Sequence, residues 1–448
     1  MIFSSLFLVS FVFWLIGVGG KLGWWVSVWI SSLITEVMIC VAYTSVGVSS
    51  CSYGGVFNCD ELSCAMIWLS ALVYSLSLLS SNKVLSESNG EVSFLICLLV
   101  LMMALMVSFS INSLLMFYVF FEFSLIPTFL IICGWGYQPE RLRASKFMVL
   151  YTVGASLPLL MFILCVIYAV GSVEISLLNL WNVEASGFFV FTIAILAFLV
   201  KVPMYGLHMW LPKAHVEAPV AGSMMLAGVL LKLGSYGLAR FMQFFKVSDT
   251  FFLACVMCLC IFGGMVGSLI CCFQIDVKSL VAYSSVGHMS LVLCGLMSSS
   301  LLGFVGSCLL MVAHGLSSPG MFYLVSEMYK LFGSRSMFLV RGMTGNLMGV
   351  NVWLMFMCGF NAAAPPSLSI CSEVILYISL ISYSMLFSLV LGFMSFLSCL
   401  YSWSLYCSTQ AGNYPSWVRS SSDFSSMYLQ SIICGSLSFG LVGLCFLM

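Results

Sequence analysis

The sequence predicts an all-α polytopic membrane protein with about 14 transmembrane helices. Of its 448 residues, 62% are hydrophobic and only 7% are charged, whereas a soluble domain carries about 25% charged residues. The apolar residues form long unbroken runs, and a helix that spans a bilayer needs about 20 of them. The segments between the runs are short, which leaves no room for a separate soluble domain.

Fourteen apolar stretches are predicted to be spanning helices. They lie near 2–18, 23–48, 62–80, 93–109, 112–133, 145–171, 186–210, 217–243, 250–273, 277–297, 301–329, 346–370, 373–404 and 427–447. The first has neither a basic segment before it nor a small-residue cleavage site, so it is predicted to be a helix and not a signal peptide.

Composition also narrows the functional classes. The formal net charge is zero, so no basic surface indicates a nucleic-acid partner. The 20 cysteines are scattered through apolar runs without the paired spacing of a metal site, and no metal is predicted. Abundant Phe, Gly, Trp and Cys beside scarce Pro and His favour synthesis from a strand-biased organellar genome.

Two of the predicted helices are interrupted by proline. One break lies at Lys201-Val202-Pro203 and the other at Asn361 to Pro366. Proline removes a backbone donor and clashes with the preceding turn, and inside a bilayer the freed carbonyls need protein or water as partners. Interrupted helices at corresponding positions of two halves are typical of transport sites.

A small set of ionisable residues lies inside the apolar runs. Such residues are costly in a membrane and are usually functional. The six candidates are Glu122, Lys201, Lys232, His288, His314 and Glu373. Lys201, at the first break, is the expected partner of Glu122, and a buried lysine is suited to carrying a proton. His314 is suited to a relay because imidazole titrates near neutral pH.

Each candidate also has a structural interpretation. Glu122 and Lys201 could form a stabilising ion pair, Lys232 could extend to an interface, and the two histidines could be satisfied core residues. Glu122 precedes Lys201 by 79 residues, and His288 precedes Glu373 by 85. Similar spacing is expected if the pairs occupy equivalent helices of an internal repeat. Lys213, His215 and Glu217 are interpreted as a polar link between two spans.

The longest motif resembles a known family. The run from Lys201 to Pro219, KVPMYGLHMWLPKAHVEAP, resembles the core signature of the antiporter-like subunits of NADH:quinone oxidoreductase, complex I. Its continuation through Gly234, and the run from Asp276 to Met289, are similar to the chain-4 branch of that family. The stretch Ala313–Leu316 and the pair Pro365-Pro366 followed by Glu373 extend the resemblance, which covers about residues 90–420.

The resemblance implies a fold and a set of partners. It implies two inverted five-helix repeats, at 93–243 and 250–404, after N-terminal helices in 1–90 and before a C-terminal helix at 427–447, all in one membrane domain. It also implies that Glu122, Lys201, Lys232, His314, Glu373 and His288 form a proton path in the mitochondrial inner membrane. Neighbouring complex I subunits and lipids would be the partners.

The chain itself is expected to bind no cofactor. It contains no glycine-rich phosphate loop and no cysteine set for an iron–sulfur cluster, so NADH, FMN, the clusters and ubiquinone would belong to partner subunits of the enzyme. Two alternatives remain: a subunit of a multi-subunit cation/proton antiporter, which shares the core signature, and a purely structural membrane subunit whose charges join helices.

Overall fold

A computed structural model describes residues 20–45, 51–53, 57–81, 84, 90–181, 183–184, 188–246, 250–343 and 348–412. The helices predicted at 2–18 and 427–447 lie outside these residues.

The described chain is built almost entirely from helices. Up to Lys246 the elements are α1 (Gly20–Ser45), β1 (Cys51–Tyr53), β2 (Phe57–Cys59), α2 (Glu61–Ser80), α3 (Glu91–Ser110), α4 (Leu114–Phe123), α5 (Leu125–Trp135), α6 (Arg141–Val170), α7 (Ile175–Trp181), β3 (Val183–Glu184), α8 (Phe188–Lys201), α9 (Trp210–Glu217), α10 (Val220–Met225), a π-helical segment (Leu226–Leu230), α11 (Leu231–Phe244) and β4 (Phe245–Lys246). From Thr250 onward they are α12 (Thr250–Cys272), α13 (Val277–Met297), α14 (Leu301–Phe332), α15 (Met348–Asn361), α16 (Leu368–Tyr383) and α17 (Phe387–Gln410).

The length and hydropathy of the helices are those of a membrane protein. In the described part of the chain, nine helices are long and apolar enough to cross a membrane. The strands form only two small ladders, β1 antiparallel to β2 and β3 parallel to β4. The prediction of an all-α polytopic protein is therefore confirmed, while the total of 14 spans stays a prediction.

The chain folds as two compact units. The first contains the described residues up to Lys201 and those from Glu217 to Lys246, and the second contains Val202–Val216 and the described residues from Thr250 onward. The chain therefore passes from the first unit to the second directly after Lys201, at the first predicted break.

Two of the helices that carry charged candidates are the most completely buried of the nine spans. The most apolar part of the span Val220–Gln243, which carries Lys232, is 100% buried although its mean hydropathy, 1.3, is the lowest of the nine, and that of Val277–Met297, which carries His288, is 94% buried. By contrast, Arg141–Val170 has a mean hydropathy of 2.4 and is only 33% buried. A helix surrounded by other helices can carry polar side chains because protein, not lipid, provides their environment.

One predicted span is divided in the structure where no break was expected. The predicted stretch 112–133 corresponds to α4 and α5, which adjoin at Ser124 and together make one 22-residue span, Leu114–Trp135. The predicted stretch 373–404 becomes parts of α16 and α17, which are separated by residues 384–386. The expectation of a single helix at 373–404 was wrong. The turn there contains the apolar residues Met385 and Leu386, so no glycine, proline or charge marks it in the sequence.

Close helix packing in the first unit gives a stability prediction. A Cβ atom at Gly237 would lie 2.4 Å from Cε1 of Phe198, where α11 packs against α8. We expect Gly237→Ala to lower the free energy of unfolding by about 1–3 kcal/mol, the usual cost of overpacking. The melting temperature of the detergent-solubilised protein measures this change.

The matched control is Gly154→Ala in α6. A Cβ atom at Gly154 would meet nothing within 4 Å, so alanine there is expected to be neutral or to stabilise by up to about 1 kcal/mol through helix propensity. Equal melting temperatures for the two variants would contradict the proposed close packing at Gly237.

Candidate functional site

Lys201 is buried at the C-terminal end of α8 and is held by the backbone of α4. Its side chain is 4% exposed. The ammonium Nζ donates a hydrogen bond of 2.7 Å to the carbonyl of Phe121 and lies 3.3 Å from the centroid of the Phe121 ring. A carbonyl and an aromatic face both stabilise a cation that has left water.

Glu122 is the next residue along α4 and is half-buried. Within the described residues its Oε1 atom has no hydrogen-bond partner. The Lys201 charge acts on this carboxylate, and Ser156 of α6 is within reach of it. The predicted partners thus interact as neighbouring charges, but the direct hydrogen bond of Lys201 is to Phe121.

The Phe121 carbonyl lies next to the boundary between α4 and α5 and has two side-chain donors. The hydroxyl of Ser124 donates to the Phe121 carbonyl at 2.8 Å, on the same oxygen that accepts from Lys201. A backbone carbonyl is therefore part of the lysine site.

Lys232 is completely buried and follows the π-helical segment directly. Its ammonium donates to the carbonyl of Ala227, inside that segment. Side chains on a helix point back toward its N-terminus, which brings the ammonium to this carbonyl. Single-turn π segments inside α-helices are frequent at functional sites.

The first predicted break is present between α8 and α9. The helix ends at Lys201, and Pro203 follows in a non-helical segment that includes Gly206 at φ 92°. The interpretation of the following residues as a polar link needs correction. They form the helix α9, in which His215 is fully buried and stacks on Phe322 with ring centroids 4.7 Å apart. Lys213 is exposed.

The second unit brings together the remaining three candidates. His288 on α13 and Glu373 on α16 are both 5% exposed, and Nδ1 of His288 lies 3.3 Å from Oε1 of Glu373. The rings of His288 and His314, on α14, have centroids 5.7 Å apart. Two imidazoles and a carboxylate at these separations can exchange protons directly or through one water molecule.

The second predicted break positions Glu373. Helix α15 ends at Asn361, Ala363 adopts a left-handed conformation at φ 53°, and α16 begins at Leu368. The Ser367 hydroxyl caps α16 by accepting from the backbone N–H of Ile370 at 3.4 Å. Glu373 consequently lies in the second turn of a capped helix and faces His288.

Some buried charges were not selected from the sequence. Lys278, in the first turn of α13, is 6% exposed and donates to the Val216 carbonyl at 3.2 Å. Glu327 is 5% exposed and pairs with Lys330 at 2.6 Å on α14. Both lysines lie near helix ends, where the sequence cannot distinguish an interface charge from a buried one. The sequence offered one signal for these residues: only 7% of the chain is charged, so each charged residue is a candidate.

The described residues include no group of three or more His, Cys, Asp or Glu side chains that could hold a metal ion.

Comparison with known proteins places the two clusters in an antiporter-like membrane subunit. A family model described as NADH:quinone oxidoreductase/Mrp antiporter, TM, matches residues 111–398, and one described as NADH-ubiquinone oxidoreductase chain 4, amino terminus, matches residues 1–108. All six candidate residues fall within the first match. The class is thus a polytopic membrane protein of the antiporter-like type.

Close relatives specify the family. The chain is 40% identical over 397 residues to NADH-ubiquinone oxidoreductase chain 4 of Locusta migratoria, covering 88% of each chain. It is 42% identical over 377 residues to the same subunit of Mytilus edulis, covering 82% of this chain and 85% of the relative. The chain belongs to the NADH-ubiquinone oxidoreductase chain 4 family, the antiporter-like membrane-arm subunits of complex I.

Solved structures agree in fold. A chain in respiratory complex I from Thermus thermophilus with bound NADH superposes with a TM-score of 0.85 at 23% identity, covering 99% of this chain and 95% of that one. A chain of an archaeal membrane-bound sulfane sulfur reductase superposes with a TM-score of 0.86 at 17% identity, covering 99% and 94%. At these identities the likeness establishes the fold.

Proposed function

We propose that this chain couples NADH:ubiquinone electron transfer to proton translocation across the mitochondrial inner membrane, through Glu122, Lys201, Lys232, His288, His314 and Glu373. The observation that carries the proposal is the lysine site at the first break. Within the part of the chain that the structure describes, a buried ammonium is held by a carbonyl and a ring beside a half-buried carboxylate. A purely stabilising ion pair would have no need of a helix break.

The lysine site offers two hydrogen-bond acceptors to the ammonium of Lys201. The ammonium can bind the Phe121 carbonyl, as here, or move to the adjacent Glu122 carboxylate, whose Oε1 atom has no partner within the described residues. We propose that a conformational signal from neighbouring subunits changes the balance between the two. The proton affinity of Lys201 then changes because its attraction to the carboxylate changes.

The second cluster has the groups needed to accept and release a proton. Protonation of His288 strengthens its contact with Glu373, and transfer to the neighbouring imidazole requires only small rotations. Lys232 belongs to the same proposed path in the first unit. Moving one charge against about 150 mV costs about 3.5 kcal/mol, which is comparable to the attraction of about 4 kcal/mol between unit charges at 4 Å and an effective dielectric of about 20.

The proposal assigns redox chemistry to the partners. NADH, FMN, iron–sulfur clusters and ubiquinone would be bound by other complex I subunits, and the neighbouring antiporter-like chains and lipids would contact this one. The two stretches 93–243 and 250–404 would be inverted five-helix repeats within a 14-helix domain. Each contains one of the two proline-associated helix breaks and one of the two candidate carboxylates, Glu122 or Glu373, which supports that division.

A cation/proton antiporter is the alternative, because the family model that matches 111–398 includes the Mrp antiporters. The chain-4 match at residues 1–108 and the chain-4 relatives favour complex I. The two functions differ in driving force: complex I pumping requires NADH oxidation, whereas antiport follows an imposed Na⁺ or pH gradient without NADH.

The test of the proposed function is Glu122→Gln in assembled complex I, with proton pumping measured alongside NADH:quinone turnover. We expect coupled turnover to fall about tenfold, the scale of one lost charge-assisted interaction. Glu140→Gln is the control, because Glu140 is exposed before α6. Wild-type pumping by the Glu122 variant would leave the charges with a structural role only.

A further inference from the structure

The second unit contains a small cavity beside Glu373 that several polar side chains line. Its volume is about 20 Å³, and it is lined by Ser268, Gly287, His288, Leu291, Glu373, Tyr377, Met394, Ser398 and Tyr401. A water molecule needs about 10–15 Å³ and between two and four polar partners. The cavity therefore has the size and the lining to hold one water molecule.

Tyr377 connects this cavity to the carboxylate. It lies one turn after Glu373 on α16, and its phenol interacts with Glu373 and with the hydroxyl of Ser395 on α17. Tyr401, 2% exposed, lines the same cavity from α17. None of these α17 residues is among the candidates derived from the sequence.

The cavity also accounts for a buried nitrogen atom that has no hydrogen-bond partner within the described residues. Nε2 of the buried His288 has no hydrogen-bond partner within the described residues, although buried polar atoms are normally satisfied by protein or ordered water. His288 uses its other ring nitrogen to contact Glu373 and also lines the cavity. A water molecule there would have hydroxyl, imidazole and carboxylate groups around it.

We infer that Tyr377 is a positioning residue of the proton path, which orients the Glu373 carboxylate against one water molecule held between α12, α13, α16 and α17. This inference rests on the proposed function, since it gives Glu373 a proton-exchanging role. The phenol and the water molecule fix the carboxylate in one orientation, and the rate of proton exchange at Glu373 depends on that orientation.

The first test is Tyr377→Phe in assembled complex I, compared with Tyr383→Phe, which makes the same change at an exposed position on the same helix. We expect Tyr377→Phe to lower pumping-coupled turnover about tenfold, the scale of one hydrogen bond to a charged group. We also expect it to shift the pH profile and raise the solvent deuterium isotope effect. A structural role alone would change neither of these two quantities, and Tyr383→Phe should match the wild type.

A second variant keeps the test valid if Tyr377→Phe does not assemble. Ser398→Thr adds one methyl group at the cavity wall while keeping the hydroxyl, and is expected to displace the water molecule and lower coupled turnover. Ser402→Thr is its control, because Ser402 lies one turn further along α17 and does not line the cavity.

The Glu373→Gln variant distinguishes a failure of the role inferred for Tyr377 from a failure of the proposed proton path. If Glu373→Gln lowers coupled turnover while Tyr377→Phe and Ser398→Thr leave turnover, pH profile and isotope effect unchanged, the role of Tyr377 is overturned and the proton path stands. If Glu373→Gln also has no effect, the proposed function fails at this cluster. Reduced turnover in both cavity variants with normal controls supports the inference.

Discussion

Replacing Lys201 with alanine is expected to reduce NADH-driven proton pumping by at least tenfold in assembled complex I. The change removes the ammonium that bonds the Phe121 carbonyl at 2.7 Å and lies on the Phe121 ring. A hydrogen bond to a charged group contributes about 1.5–3 kcal/mol, and about 1.4 kcal/mol corresponds to a factor of ten. Pumping and NADH:quinone turnover should be measured together, because a coupled proton path can limit both.

Two further variants make the Lys201 result specific. Lys213→Ala removes an exposed lysine twelve residues further on and should leave pumping unchanged. Lys201→Arg keeps the positive charge, but guanidinium does not deprotonate in proteins. If the lysine carries a proton, the arginine variant should assemble yet pump poorly. Normal pumping in Lys201→Ala would mean that the charged site is structural, and full activity in Lys201→Arg would limit its role to pairing.

Lys232→Met is expected to separate stability from function. Lys232 is completely buried, and replacing a buried charged group by an apolar one of similar volume is often neutral or stabilising by about 1–4 kcal/mol. We therefore expect an unchanged or higher melting temperature together with a loss of coupled pumping of at least tenfold. Calorimetry of the purified complex and pumping in proteoliposomes measure the two effects.

Leu233→Met controls for side-chain volume in the Lys232 experiment. Leu233 is the next residue on α11 and is also completely buried, and a swap between leucine and methionine usually costs less than about 1.5 kcal/mol. Its pumping should be normal. A Lys232→Met variant that is destabilised but pumps normally would contradict the proton role and show instead that the bond to the Ala227 carbonyl holds the π segment in place.

Lys201 and Glu373 illustrate how much could be predicted from the sequence. Lys201 lies two residues before Pro203 and Glu373 seven residues after Pro366 in an apolar run, and the structure contains a helix break at each proline site. The prediction worked because proline and charge are both costly in a membrane helix. The spacing in the sequence pairs His288 with Glu373, but their direct contact, with 3.3 Å between Nδ1 and Oε1, could not be predicted, because it depends on how α13 and α16 pack.

The turn after Tyr383 and the cavity beside Glu373 illustrate the opposite case. The turn contains Met385 and Leu386, which are indistinguishable from the apolar residues of the helices around them, so the sequence predicted one helix where there are two. Tyr377, Ser398 and Tyr401 come from two helices and were each unremarkable in the sequence. Only their packing around a space of about 20 Å³ makes them one site.

The sequence by itself determined the membrane class, the two helix breaks and the six ionisable candidates, because hydrophobicity, proline and charge act locally along the chain. The tertiary structure decided which groups meet: the bond of Lys201 to Phe121, the contact of His288 with Glu373, the burial of Lys278 and the polar cavity. These contacts join residues up to 133 positions apart, the separation of Ser268 and Tyr401 at the cavity. Such contacts depend on helix packing, which in a uniformly apolar chain is set by side-chain shape and not by the hydrophobic pattern.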